Sequence, residues 1–461
     1  MKRSSPALLA APWFALALLI SQRAHASGIG GIRFGGELGS VVNANPTSIY
    51  YNPGALGFSG SQLMLDLAIV FRETTWTHPA GQGDVPEPAG FEGANYGTAH
   101  SFLVGVGPQF AASFQLTKDL VVAGGFFVPW GGGTVKFDRN ERFADGMYPG
   151  AADGITRWHG YDAQLRYLYA TAAAAWRFGR LSIGASGNLI FGSLGLKRAQ
   201  NSFGNNDITR EQRASFEVSE VVGSFGLGAL FEALPEQLWF GASYQAQPGL
   251  GELTLDGSYT LDATVAVDDA TQTQSVTIHQ ALPDIYRLGA RFRPTPALEL
   301  RLTGSFTRWS VNQTQCLALR NMPCTVNPDG TAASGSGVVK NLPRHWNDTF
   351  GVHGGASYWP SRSFEIFAGV GYEPTAVPDE TADPLTSDAN NISAAVGGRF
   401  RLFETWYFAL SYNHQQFLPR DNIGKSRLAD PAVGAISRGL DGGGQYRAWM
   451  GSANLNIAKT F

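Results

Sequence analysis

Segments in which apolar and polar residues alternate recur along most of the chain. In the first, every second residue from Leu63 to Phe71 is apolar. The residues between them are of mixed polarity and include Asp66. Because successive side chains of a β-strand point to opposite faces, this alternation predicts a strand with one apolar and one polar side. Twelve further segments form six hairpins: 109–116 with 120–128, 164–178 with 181–194, 222–232 with 238–247, 284–293 with 298–309, 348–359 with 364–373, and 392–401 with 406–416. With a last segment at Tyr446–Phe461, fourteen strands are predicted.

Short and long connections alternate strictly between these segments. Six short turns alternate with seven long loops, which run near 72–108, 129–163, 195–221, 248–283, 310–347, 374–391 and 417–445. Outer-membrane barrels have short periplasmic turns, long extracellular loops and aromatic girdles, and Trp176, Trp309 and Trp406 lie near predicted strand ends. The pattern therefore predicts an all-β fold, a 14-stranded antiparallel transmembrane β-barrel.

The start of the chain has the features of an export signal. Lys2 and Arg3 precede an apolar stretch from Ala7 to Ile20, and Ala24-His25-Ala26 places small residues where a signal peptidase reads. The apolar stretch is too short to span a bilayer core of about 30 Å, which argues against a membrane anchor. We predict a signal peptide at 1–26 and export to the bacterial outer membrane.

The composition supports a β-rich chain with many turns. Gly occurs 57 times, aromatic residues make up 12%, and only 15% of residues are charged, against roughly 25% in ordinary soluble domains. The formal net charge is −3. Because no basic excess is available to neutralise phosphates, no nucleic-acid partner is expected.

Residues 27–60 lack the alternation of a wall strand. They are rich in Gly and turn-forming residues, and a barrel of about fourteen strands encloses a lumen that wall side chains alone do not fill. We therefore predict a plug, here called the hatch, at 27–60 and the barrel at 61–461. Asn52, Pro53 and Gly54 are candidates for its core, because these residues favour tight turns; an ordinary surface turn is the alternative.

Several motifs resemble one family. Asn52-Pro53-Gly54-Ala55-Leu56, after Ser48-Ile49-Tyr50-Tyr51, is similar to the hatch motif of the FadL family, outer-membrane transporters of long-chain fatty acids and aromatic hydrocarbons. The family usually has Asn-Pro-Ala, so Gly54 is a departure. Further similar stretches are Val128-Pro129-Trp130-Gly131, Leu282-Pro283-Asp284, Thr307-Arg308-Trp309-Ser310 and Gly371-Tyr372-Glu373. The terminal Phe461 resembles the signal that the barrel-insertion machinery recognises.

The resemblance implies passive uptake of a hydrophobic small molecule, a fatty acid or aromatic hydrocarbon. It implies a ligand pocket above the hatch and release sideways to outer-membrane lipids, through an opening at the third strand. The candidates for that opening are Gly124, Gly125, Pro129 and Gly131. The alternative is that the Gly pair makes room for the hatch and Pro129 starts a loop. The resemblance also implies a monomer.

Candidate ligand contacts come from the hatch and from charged wall residues. Phe34, Ile49, Leu56 and Phe58 are candidates for the pocket floor, with packing inside the hatch as the alternative. An acidic ligand would require a lumenal cation. Candidates for it are Arg166, Arg287 and Arg301 on predicted strands, but the sequence does not fix which face they occupy.

No pattern of catalytic or metal-binding residues stands out. Cys316 and Cys324 share one long loop, and export to an oxidising compartment favours a disulfide over a metal site, which lacks further nearby ligands. Ser411 and His414 lie three residues apart on one predicted strand, so they face opposite sides and do not form a nucleophile–base pair. We expect no enzyme activity, no cofactor and no metal.

Two other functions share parts of this pattern. A general porin would have a polar lumen without a plug, which the segment 27–60 argues against. A FadL-like barrel that serves as an assembly or anchoring factor for secreted proteins would have the same wall without a ligand pocket.

Overall fold

The computed structural model describes residues 33–80, 85–201, 204–262, 271–327, 332–428 and 440–461. The predicted signal peptide at 1–26 and the first residues of the predicted hatch lie outside these ranges. In the described part, strands are β1 (Gln62–His78), β2 (Gly97–Gln115), β3 (Leu120–Lys136), β4 (Asp162–Phe178), β5 (Leu181–Gln200), β6 (Gln212–Leu234), β7 (Leu238–Gln245), β8 (Glu252–Leu261), β9 (Gln272–Ala281), β10 (Ile285–Thr295), β11 (Leu298–Thr307), β12 (Thr314–Leu319), β13 (Val338–Pro343), β14 (Thr349–Ser361), β15 (Phe364–Glu373), β16 (Asn391–Leu402), β17 (Trp406–Phe417), β18 (Arg420–Asp421) and β19 (Gln445–Thr460).

Fourteen of these described strands form a closed antiparallel wall. They are β1 to β7, β10, β11, β14 to β17 and β19. The ring closes where β19 pairs with β1, from Gln62 opposite Thr460 to Thr77 opposite Gln445. The predicted barrel is confirmed. Several of its strands are longer than predicted; β2, for example, begins at Gly97 rather than at residue 109. Others are shorter, such as β7 and β11.

Alternation along the strands separates the outside of the wall from the lumen. On β5, Ser182, Gly184 and Ser186 are buried while Ile183 is exposed between them. Apolar side chains exposed on the wall include Val106, Leu227, Leu288, Leu300 and Leu410. This outward apolar surface is the one that contacts lipid in an outer-membrane barrel.

Of the remaining described strands, the short β18 pairs with β19, and the other four build a sheet above the wall. The first part of β6 pairs with β8, β8 with β9, β9 with β12, and β12 with β13. The only α-helix among the described residues is Ser48–Tyr51, and 3₁₀-helices lie at Gly36–Leu38, Pro53–Phe58, Glu141–Phe143, Pro149–Asp153, Ile155–Trp158, Ile208–Arg210, Pro248–Leu250, Trp309–Val311 and Asp379–Thr381. None of the described helices has the length and apolar character needed to cross a bilayer.

The hatch, as far as it is described, occupies the lumen. Its Pro53–Phe58 helix contacts β3 to β7, and its Gly36–Leu38 helix contacts β15 to β17. Contacts on both sides of the ring require a position inside it. The backbone N–H of Gly35 donates a hydrogen bond to Asp66 of β1 (2.9 Å), and Asn454 of β19 donates to the same carboxylate (3.1 Å).

Candidate functional site

The wall has a gap between β2 and β3. The two strands pair only near their shared turn, from Gln115 opposite Val121 to Phe110 opposite Phe126. Beyond these residues β2 continues to pair with β1, and β3 with β4. We call this gap the window. Among the described residues, 102–109 of β2 and 127–135 of β3 form its two edges.

Two β-bulges in β3 coincide with the window. The register with β4 breaks between Phe127 and Trp130, and again between Gly131 and Gly133. Bulges bend a strand and end its pairing on one side. Of the residues predicted for the opening, Pro129 lies in the first bulge and Gly131 borders the second. Pro129 has no N–H to donate, which is tolerated where no neighbouring strand pairs.

The other two predicted residues lie below the window. Gly124 and Gly125 pair with Ala112 and Ala111 of β2. A Cβ on Gly125 would lie 2.7 Å from Cδ1 of Ile49 in the hatch and would also collide with the backbone of β2. Gly125 therefore makes room for the hatch, as the alternative interpretation expected.

Polar contacts join β2 to the end of β3 above the window. The backbone N–H of Asp138 donates to the carbonyl of His100 (2.8 Å), and the Ser101 hydroxyl donates to the carbonyl of Lys136 (2.6 Å). His100 Nδ1 also lies 2.9 Å from Oδ2 of Asp138. The window is thus bounded at both ends.

A cavity of about 490 Å³ lies behind the window. Leu103 and Val106 of β2 and Val135 of β3 line it, so it reaches both edges of the window. Most of its other lining is apolar and includes Leu165, Leu194, Phe216, Ile278, Leu317 and Leu385. This size and lining are typical of sites for small organic molecules.

The charged lining of this cavity is mainly cationic. Among the described residues, Arg72, Arg166, Arg198, Lys340 and Arg344 line it, with Asp383 as the one acid. Asp383 lies 3.7 Å from Arg344. Burial lowers the pKa of His159, which also lines the cavity, to about 4, so this side chain is uncharged at neutral pH.

Lys340 is one of these cations and lies beside a second, Arg198. In the described part of the chain its ammonium has no hydrogen-bond or ion-pair partner. Burial, with the positive charge of Arg198 beside it, lowers its pKa well below the ordinary value. Arg198 Nε donates to the carbonyl of Ala199 (3.1 Å). The charge of Asp383 opposes the lowering of the Lys340 pKa, but the same carboxylate also faces Arg198 and Arg344. Because cations outnumber this acid, the region favours a further anionic group.

A second chamber, of about 280 Å³, lies over the hatch, and polar atoms form a larger share of its lining than of the first cavity's, so we call it the polar chamber. Arg33 and Tyr51 of the hatch line it together with Arg287, His353 and Glu373. Val70 and Met450 line both this chamber and the apolar cavity, which are therefore adjacent.

The three arginines predicted as candidates to bind the carboxylate of an acidic ligand have different surroundings. Arg287 lies 4.6 Å from the ring centre of Tyr50 in the hatch. Arg301 pairs with Glu299 at 2.9 Å. Arg166 lines the apolar cavity, but the residue is exposed. Only Arg166 of the three is placed at the cavity that opens to the window.

The structure separates the four predicted floor residues. Phe34 lines the polar chamber and stacks on Phe127 of β3, with ring centres 5.2 Å apart. Ile49 and Leu56 are fully buried. Phe58 packs under Arg177, whose guanidinium lies 4.2 Å from the ring centre. Phe34 is thus placed at a chamber, while the others pack within the hatch and against the wall.

The predicted hatch core is held by Asn52. Its amide Nδ2 donates to the carbonyls of Val41 (2.7 Å) and of Ala229 on β6 (2.9 Å), and its Oδ1 accepts from the N–H of Gly54 (3.0 Å). A Cβ on Gly54 would lie 2.5 Å from the carbonyl oxygen of Gly228. The close approach to β6 explains why Gly, rather than the usual Ala, occupies this position.

A buried ion cluster ties the hatch to β14. Arg33 Nη1 lies 3.1 Å from Glu37 Oε1 and 3.0 Å from Nε2 of His353, which is 3.0 Å from Glu37 Oε2. Burial alone would raise the pKa of Glu37, but Arg33 and the hydrogen bond with His353 lower it to about 2.

Cys316 and Cys324 form a disulfide in the loop after β11, with their Cα atoms 6.4 Å apart. In the described ranges, no group of three or more His, Cys, Asp or Glu side chains is placed to hold a metal ion.

Sequence reasoning missed Lys340, Arg198 and Asp383. Lys340 and Arg198 lie in two of the predicted long loops, 310–347 and 195–221. No local motif marks them, because separate extracellular segments bring them together.

Comparison with known proteins decides the family. A family model described as outer membrane protein transport protein (OMPP1/FadL/TodX) matches residues 8–457. The chain belongs to this family. The resemblance drawn from the hatch motif is confirmed, and the family is one of outer-membrane transport proteins rather than enzymes.

Solved structures share the fold of this FadL/TodX family member. A Pseudomonas aeruginosa FadL homologue has a TM-score of 0.72 at 16% identity, over 95% of this chain and 99% of that one. The Pseudomonas putida toluene transporter TodX has 0.63 at 17% identity, over 95% and 99%. The Ralstonia pickettii toluene transporter TbuX has 0.61 at 16%, over 96% and 100%. None of the curated proteins matches the sequence.

Proposed function

We propose that this protein takes up hydrophobic small molecules across the outer membrane, holds them in the apolar cavity and releases them through the window. The observation that carries the proposal is that the cavity reaches both edges of the window. A molecule in the cavity has lipid on one side and the polar chamber and the hatch below. The apolar route leads sideways, because leaving the apolar lining for polar groups is unfavourable.

The cavity lining favours an acidic amphiphile such as a long-chain fatty acid. Its apolar part fits the Leu- and Val-rich lining, and its carboxylate compensates Lys340 and Arg198. A neutral hydrocarbon, the kind of molecule transported by the two toluene transporters of similar fold, leaves these two cations with Asp383 as the one acid among the described lining residues. We therefore place the acid ahead of the hydrocarbon as substrate.

The closed ring also bears on assembly. Because β19 pairs with β1 in the same chain, one chain closes the ring, and the seam between its ends leaves no strand edge for a second copy. We propose that the protein acts as a monomer whose partners are its ligand and outer-membrane lipid.

Uptake by living cells tests this function. Cells that lack the gene should take up labelled long-chain fatty acid slowly, and the wild-type gene should restore uptake. Lys340→Met should lower uptake at limiting ligand by about tenfold, the expected effect of losing one charged hydrogen bond. Lys425→Met, which changes an exposed loop lysine, is the matched control. Unchanged uptake on deletion, in a strain without related genes, would reject the proposal.

A further inference from the structure

A hairpin from the long loop after β11 forms part of the cavity wall. It consists of β12 and β13, and β12 also pairs with β9. Among the described residues, β13 pairs with β12 alone. Val339, Lys340 and Leu342 of β13 nevertheless line the cavity. The position of Lys340 therefore depends on how β12 is held.

The pairing of β12 with β13 is irregular beside Lys340. Leu317 is opposite Lys340, but Ala318 is opposite Val338, so Val339 is an extra residue. A bulge redirects the neighbouring side chains, and a slip of one residue turns each side chain to the other face. Lys340 lines the cavity only while this register is kept.

The disulfide lies where it can fix this register. Cys316 is in the middle of β12, only 1% exposed, and is opposite Asn341 of β13 and His279 of β9. Its partner Cys324 lies in the connection to β13. The carbonyl of Pro323 accepts a hydrogen bond from the N–H of Gly337, directly before β13 (3.1 Å). The disulfide thus links the centre of β12 to the segment that leads into β13.

We propose that the Cys316–Cys324 disulfide positions Lys340 for an acidic ligand by fixing the register between β12 and β13. This rests on the proposed function, since it concerns the same cavity. The cysteines do not line the cavity, so the disulfide acts through Lys340. A disulfide that merely stabilised the extracellular sheet would support the binding of acidic and neutral ligands equally.

Binding measurements on the purified full-length barrel in detergent test this proposal. The probes are a fluorescent long-chain fatty acid and the alcohol of the same chain. We expect Cys316→Ser with Cys324→Ser to weaken binding of the acid about tenfold and to leave the alcohol within about twofold. The same change in a Lys340→Met background should add nothing further, because both changes remove one interaction. Wild type treated with dithiothreitol after folding provides a second measurement that needs no refolding.

The outcomes separate this inference from the proposed function. Equal weakening of acid and alcohol, or unchanged binding of the acid after reduction, overturns the positioning role. If Lys340→Met abolishes the preference for the acid while reduction does not alter it, the proposed function stands and this inference fails. Wild type without any preference for the acid contradicts both.

Discussion

At the scale of single residues, Glu37 shows how the hatch is held in place. It is 3% exposed and shares Arg33 with the nearby His353. Its pKa of about 2 lies below its ordinary value of 4.5. A group whose pKa is lowered on folding stabilises the folded state fully above its ordinary pKa, and this contribution disappears as the pH falls through the lowered value.

We predict that the hatch loosens in acid through Glu37. Hydrogen exchange of hatch amides, corrected for intrinsic rates, should be constant down to about pH 4.5 and should accelerate toward about pH 2. Glu37→Gln should lower the stability of the hatch by about 3 kcal/mol at neutral pH and remove this acid dependence. Glu141→Gln, in an exposed loop, should behave as wild type. Identical acid profiles for Glu37→Gln and wild type would contradict the assignment.

At the scale of elements, β3 combines two tasks along one strand. Its first half pairs with β2 and packs against the hatch, and its second half leaves β2 at the bulges. The adjacent glycines of the first half differ in what surrounds them. A Cβ on Gly125 meets Ile49 at 2.7 Å, whereas one on Gly124 has its nearest neighbour at 3.4 Å, an ordinary contact.

This difference gives a matched pair of substitutions. Gly125→Ala should lower the free energy of unfolding by about 1–3 kcal/mol, the usual cost of overpacking. Gly124→Ala should change it by less than about 0.5 kcal/mol. Urea titration of the folded barrel in detergent measures both values. Equal effects of the two substitutions would show that neither Ile49 of the hatch nor the backbone of β2 crowds Gly125.

The wall strands could be predicted because lipid imposes a two-residue period on each of them. The prediction starts β2 too late, at residue 109, for a local reason: Gly105, Gly107 and Pro108 are strand-breaking signals. They are tolerated because this part of β2 borders the window, where no partner strand needs a donor. Strands β8, β9, β12 and β13 were missed since they pair with each other and with β6 above the membrane, where no such period is imposed.

The proposed ligand site was harder to predict than the wall, because the extracellular segments that form it have no two-residue period imposed by lipid. Arg166 could be selected because it lies on a wall strand. Lys340 and Arg198 meet only after distant loops have folded into one sheet, and no sequence spacing records that contact.

At the scale of the whole molecule, the lumen is divided by polarity. The apolar cavity reaches both edges of the window, and the polar chamber lies over the hatch and reaches β3 at Pro129. Neither a plug nor an apolar cavity alone would direct a ligand sideways. In the proposed function the two act together: the hatch blocks the axial route and the window leads to lipid.

The most direct test closes the window and measures transport. Gly105→Cys on β2 and Val135→Cys on β3 place thiols on opposite edges, both lining the cavity, where a short bis-maleimide can join them. The control is Val370→Cys with Ala394→Cys, which lie opposite each other on the exposed face of β15 and β16 and line neither the cavity nor the polar chamber.

We predict that cross-linking the window lowers fatty-acid uptake about tenfold or more while binding to the purified protein is retained, and that the cross-linked control transports normally. Uptake at the wild-type rate through a fully cross-linked window would contradict the account.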